Sequence, residues 1–140
     1  MISLENLYIM DLNALHENLY RMAGVGPTTL FNEDRGLVDC TVLNRNGIKV
    51  VVANGNGFSA FSNITSIMKK PGKNVWMLKK GALLPDGLRI VKDLRKGHEN
   101  HYMLAPARNM PYKKYLGLLE ELGCDTSKAV LLSRQEVQNG

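Results

Sequence analysis

Apolar residues recur along this chain in short blocks whose period changes, and the period decides which element each block predicts. Leu4, Leu7, Tyr8, Leu12 and Leu15 follow helical spacing, which predicts a helix over residues 3–17 with Ser3 as N-cap. A strand is expected from Leu19, carrying Tyr20, Arg21 and Met22, and Gly24-Val-Gly-Pro-Thr-Thr29 after it reads as loop. Leu37–Leu43 and Ile48–Ala53 are strand-like runs separated by Asn44-Arg-Asn-Gly47, a hairpin signal. Asn54-Gly-Asn-Gly57 supplies a further turn. It leads to a short strand, Phe58–Phe61, and a helix near Ser62–Lys70 that Ser62 caps and Pro71-Gly72 stops.

Three more strands are expected, at Asn74–Leu78, Leu88–Lys92 and His101–Ala105. A helix over Pro111–Leu122 follows. Its buried stripe is Tyr112, Tyr115, Leu116, Leu119 and Leu122, with Pro111 in the first helical position and Gly123 at C′. Ser127–Leu132 reads as a short helix or an edge strand, and the tail as frayed. There is no internal repeat, low-complexity tract or linker. The expectation is one α+β domain spanning residues 1–140, long enough to close a single core without staples.

Composition changes this picture little: 44% hydrophobic and 22% charged residues are ordinary for a globular chain. No apolar run approaches the ~20 residues that span a bilayer, so no membrane role is expected. Met1–Met10 includes Glu5 and lacks a basic segment, against a secretory signal. Cys40 and Cys124 stand outside any motif, which suits a reducing cytosol. Charge is more informative. Residues 69–114 hold twelve Lys or Arg against Asp86, Asp93 and Glu99, while both flanks are mildly acidic. Such a basic middle suits a nucleotide, a nucleic acid or an acidic protein, or is simply a solvated face.

The segment Gly81–Leu122 carries L-P-D-G-L-x-I-V-K-D and then H-Y-M-L-A-P-A-x-x-M. It resembles a family of small bacterial toxins, type VI secretion effectors with an ADP-ribosyltransferase-like fold. The resemblance implies a split, twisted β core with flanking helices, NAD as substrate, and an antibacterial action in the cytoplasm of the target cell. It further implies a cognate immunity protein that covers the site and keeps the producer's cytoplasm safe, and a possible carrier from the secretion apparatus.

Cleaving the nicotinamide–ribose bond requires a bent dinucleotide, a fixed nicotinamide and stabilisation of positive charge on the sugar. An Arg fork suits phosphate and ribose oxygens. By resemblance, Arg21 with its neighbour Tyr20, in N-L-Y-R-M-A, is the candidate on the first core strand. Ser59, in G-F-S-A-F-S, orients the pocket and counts as catalytic, and Phe58 or Tyr102 stacks on the nicotinamide. Such enzymes carry a Glu, often in Gln/Glu-x-Glu. Here the expected strand has no carboxylate, and Glu99 just before it is the candidate catalytic residue.

Other readings stay open. Ser59 could bond a backbone group, Phe61 and Trp76 could be core, and Glu99 could pair with Arg95 or Lys96 in a loop. His98 and His101 could be the acid and base of a metal-independent ribonuclease, with Trp76 or Tyr102 stacking a base. As a metal site, H-x-x-H lacks an evident third ligand in the sequence. A non-enzymatic basic module that docks an acidic protein is the remaining alternative.

Overall fold

The computed structural model describes residues 1–10 and 12–140; Asp11, inside the helix expected over residues 3–17, lies outside the described residues. That helix is replaced by a single 3₁₀ turn, Leu4–Asn6, and a strand, β1 (Leu7–Met10). β1 lies antiparallel along β7 (Leu88–Asp93), with Leu7 opposite Asp93 and Met10 opposite Ile90. Leu7-Tyr-Ile-Met10 is a continuous apolar run that either period accommodates, and the open edge of β7 decides between them.

β2 (Leu19–Ala23) forms as expected, and the loop after it holds a 3₁₀ turn, Pro27–Thr29. Leu37–Leu43 is not one strand: α1 (Glu33–Asp39) takes its first half and β3 (Val42–Arg45) its second. Asn32 starts α1, its side chain accepting from the amides of Asp34 and Arg35. Val38 misled the periodicity because it faces solvent. β3 and β4 (Ile48–Val51) form the expected hairpin, with Asn46 and Gly47 at φ of 54° and 83° in its two-residue loop.

β5 (Phe58–Phe61), β6 (Asn74–Leu78) and β8 (His101–Pro106) fall where expected. The helix expected over Ser62–Lys70 is instead a series of turns. Ser62 Oγ meets Asn100 Oδ1, Thr65 Oγ1 accepts from the Met68 amide, and the amides of Lys69 and Lys70 donate to carbonyls three residues back. β-branched Ile64, Thr65 and Ile67 leave little helical preference to oppose this. Met110–Pro111 is β9, and α2 (Tyr112–Gly123) begins after it with Pro111 as N-cap rather than first helical residue. Gly123 stays in the last turn, so Cys124, not Gly123, ends α2. β10 (Ala129–Leu131) is an edge strand. The tail is ordered as α3 (Arg134–Gln138) by a capping box between Ser133 and Glu136.

Among the described residues the architecture is α+β and every strand pairing is antiparallel. A seven-stranded sheet runs β1-β7-β8-β5-β2-β6-β10, beside a three-stranded sheet β3-β4-β9. The large sheet is nearly divided in the middle. β2 meets β6 over five registered pairs, from Leu19↔Leu78 to Ala23↔Asn74, but meets β5 only at Tyr20↔Phe61. One face is the main core, where Phe58, Ile90, Tyr102 and Leu104 meet Tyr112, Tyr115, Leu119 and Leu122 of α2. Burial of this kind, at about 25 cal/mol per Å² of apolar surface, is the main stabilising contribution. The reverse face carries two small clusters, one around Val91 and Met103 and one around Met68, Val75 and Val137.

Candidate functional site

Where β2 and β5 part, a cleft of about 480 Å³ opens, lined by Arg21, Met22, Thr29, Asn32, Arg35, Asp39, Ser59 and Phe61. Its volume is that of a small-molecule site. Arg21 spans the gap: Nη1 donates to the Ser59 carbonyl at 2.6 Å and Nε to the Leu30 carbonyl at 2.7 Å. Its guanidinium lies over the rings of Phe58 and Phe31, at 5.1 and 5.4 Å from their centroids. Among the described residues none of the ion pairs includes Arg21. Burial pulls its pKa down to about 10, and the field of Asp39 only partly offsets this. A cation held in this way, with no carboxylate partner and a face on a cleft, is a site for an anion.

Tight packing at two glycines shapes the cleft. A Cβ on Gly57 would overlap the Leu104 carbonyl, and one on Gly36 would overlap the Tyr112 hydroxyl and the Phe58 ring. Gly36 therefore lets α1 sit directly on β5, which brings Arg35 and Asp39 to the cleft. Those two pair at 3.1 Å, and Asp39 is the carboxylate that lines the opening with Arg21 and Ser59.

On the reverse face the register assembles a second constellation. Lys92 opposes Tyr102 and Phe61 opposes His101, so Asp93, next after Lys92, lies in one row with His101 and Phe61 across three neighbouring strands. Ser59 lies two residues along β5 from Phe61, hence on the same face. His101 Nδ1 is 2.8 Å from Asp93 Oδ2, and His101 Nε2 is 2.7 Å from Ser59 Oγ. The ring of Phe61 stacks on His101 with centroids 5.2 Å apart. Arg95 donates to both Asp93 oxygens, through Nε at 3.1 Å and Nη2 at 2.7 Å, and its amide donates to Oδ1. Burial alone would raise the Asp93 pKa; hydrogen bonds from Arg95 and His101 reverse that and hold it well below the usual carboxylate range.

Of the residues expected from sequence, Arg21 and Ser59 share the cleft, although Arg21 reaches the Ser59 carbonyl and not its hydroxyl. The others lie elsewhere. Tyr20 is on the reverse face with the Met68 and Val75 cluster, because it sits opposite Phe61. Phe58 is fully buried and stacks on the Arg21 guanidinium, so no nicotinamide reaches it. Tyr102 is buried too: its hydroxyl donates to Glu17, and Lys92 sits 4.6 Å from its ring centre. Glu99 is exposed and outside the cleft, its Oε1 accepting from the Gly97 amide rather than from Arg95 or Lys96. Its own backbone amide first, and then that of Gly97, lowers its pKa.

The missing third partner for His98 and His101 is present after all: Asp93 brings ligand atoms of all three within 4.8 Å. Arg95 already occupies both oxygens of that carboxylate, and a divalent cation would have to displace the guanidinium. Both ring nitrogens of His101 are engaged, Nδ1 by Asp93 and Nε2 by Ser59, so a base at this position acts first on the Ser59 hydroxyl. Asp93 and Asp39 escaped sequence reasoning. The legible signal for Asp93 was a carboxylate ending an alternating strand on the parity of buried Val91.

A family model described as Tse2 ADP-ribosyltransferase toxin matches residues 9–129. No curated protein and no solved structure matches the chain.

Proposed function

The chain belongs to the Tse2 ADP-ribosyltransferase toxin family, a type VI effector family, and we propose that it is an antibacterial toxin that binds and cleaves NAD in the cleft between β2 and β5. The observation that carries this reading is the shared opening of Arg21 and Ser59, with an unneutralised guanidinium at its wall. The near-division of the sheet at that point supports an ADP-ribosyltransferase-like split core.

In this reading Arg21 and Arg35 take the pyrophosphate and ribose oxygens, Ser59 borders the nicotinamide side, and Asp39 faces the sugar as positive charge develops. Asp39 thereby fills the role first assigned to Glu99. A cognate immunity protein covers the cleft in the producer, and the toxin acts after delivery to the cytoplasm of the target cell. Among the described residues no helix is long and apolar enough to cross a membrane.

Two measurements test the proposal. NAD should raise the melting temperature of the wild-type protein and not of Arg21→Ala, since a ligand bound only to the folded state stabilises it by RT ln(1 + [L]/Kd). Free nicotinamide should appear on incubation with NAD, and Asp39→Asn should slow its release. No thermal shift and no nicotinamide at millimolar NAD would overturn the reading.

A further inference from the structure

We propose that Asp93, His101 and Ser59 form a proton relay that makes Ser59 Oγ a nucleophile at the wall of the Arg21 cleft. The relay is continuous, with 2.8 Å from Asp93 to one ring nitrogen of His101 and 2.7 Å from the other to Ser59 Oγ. An ionised carboxylate only accepts hydrogen bonds, so Nδ1 carries the proton of the neutral imidazole. Nε2 is then left to accept from the Ser59 hydroxyl.

Burial runs in the direction such a device needs. The Asp93 side chain is fully buried and that of His101 is 12% exposed, while Ser59 lines the cleft. A reactant in the cleft therefore lies against Ser59. His101 stands behind it, in the wall of the neighbouring groove. The imidazole is also fixed in place, sandwiched by its two hydrogen bonds and by the stacked ring of Phe61. Burying a carboxylate at this position costs more than an apolar residue would. Its hydrogen bonds from Arg95 and His101 hold it ionised and aimed at Nδ1.

The chemistry balances without another reactant. As Ser59 Oγ attacks an electrophilic centre, its proton passes to His101 Nε2, and Asp93 compensates the imidazolium. With NAD, which rests on the reading above, an Oγ–carbon bond forms at the anomeric carbon as the carbon–nitrogen bond to nicotinamide breaks. Nicotinamide leaves with that electron pair as a neutral molecule, and ADP-ribose stays on Ser59. His101 acts as the base on the reacting oxygen; Asp93 is a positioning residue.

The test uses the full chain and two probes. A small arylsulfonyl fluoride, followed by peptide mass spectrometry, should label Ser59, the oxygen displacing fluoride. Asp93→Asn and His101→Gln should each slow this labelling by on the order of 100-fold, at temperatures where both variants remain folded. Ser59→Cys should be labelled in place of Ser59. The labelling rate of the wild type should depend on pH, and Asp93→Asn should change that dependence as well as the rate. The groups facing His101 are Asp93 of β7, Arg95, His98 and Glu99 of the following loop, and Ser59 and Phe61 of β5. With NAD as the probe, an ADP-ribose adduct should map to Ser59, with equimolar nicotinamide. Unmodified Ser59, or labelling of Asp93→Asn and His101→Gln at the wild-type rate, would overturn the relay. If Ser59→Ala cleaves NAD at full rate, the nucleophile falls and the NAD reading stands. If Ser59 is labelled through His101 yet NAD is untouched, the relay stands and the NAD reading falls.

Discussion

Arg21 Nη1 lies 2.6 Å from the Ser59 carbonyl, so a side chain of β2 holds β5 at the point where the two backbones have stopped pairing. One guanidinium thus ties the halves of the sheet together and lines the gap between them. The same carbonyl fixes the backbone of the residue whose hydroxyl, on the other side, meets His101.

Arg21→Ala removes both bonds and leaves the carbonyls of Ser59 and Leu30 without their donor. A loss of about 1–3 kcal/mol is expected, the cost of orphaned buried acceptors. It is partly offset because a cation that burial disfavours is also removed. Arg21→Lys keeps the charge but cannot reach two carbonyls as a rigid fork, so urea denaturation should place it between wild type and Arg21→Ala.

Two glycine substitutions should have opposite signs. Gly36→Ala forces a methyl into the Tyr112 hydroxyl and the Phe58 ring, and overpacking of this kind costs about 1–3 kcal/mol. Gly117→Ala meets nothing within 4 Å on the exposed side of α2 and should stabilise by about 0.5–1 kcal/mol through helix propensity. Denaturant midpoints of the two variants check both signs. Gly36→Ala should also weaken NAD binding, because α1 carries Arg35 and Asp39 to the cleft.

Asp93 makes folding pH-dependent on the acid side. Its folded-state pKa is depressed, so its contribution is present above the unfolded value and is lost as pH falls toward the folded one. Asp93→Asn should be less stable than wild type by about 1.5–3 kcal/mol at neutral pH, the range for hydrogen bonds to a charged group. That difference should shrink progressively below ~pH 5, as the unfolded carboxylate begins to take up protons near ~3.9. Melting curves of the pair from neutral pH to pH 3 would show it; a gap that stays constant would contradict the assignment.

Tyr102 acts on the alkaline side. Burial, then the bond to Glu17, pushes its pKa up to about 12. A raised pKa means that the stability it contributes is present below the unfolded value near ~10 and is lost as pH rises toward the folded one. Tyr102→Phe should therefore lose less stability than wild type over that interval. Tyrosinate absorbance should show one ionisation fewer in the high-pH part of the titration.

The elements that could be read directly were those whose local signals agree. β5, β6, β8, the Asn46-Gly47 hairpin and most of α2 combine a clear apolar period with turn residues at their ends. The reading failed where local signals were ambiguous and a distant surface decided. Leu7–Met10 became a strand because β7 offered an edge, and Ser62–Lys70 gave up its helix to hydrogen bonds with Asn100 and within the turn.

At the site the same division holds. The types and rough positions of Arg21 and Ser59 are written in two short motifs, because an alternating strand fixes which face each side chain takes. That Phe58 would lie under the guanidinium, that Tyr20 and Tyr102 would be drawn away, and that Asp93 would meet His101 depends on strand order and register. A shift of one residue in any pairing moves every side chain of that strand to the opposite face. The chain alone therefore determined which chemical groups were available on each strand. Only the tertiary structure decided which of them meet, because contacts across a sheet are set by pairing between segments far apart in sequence.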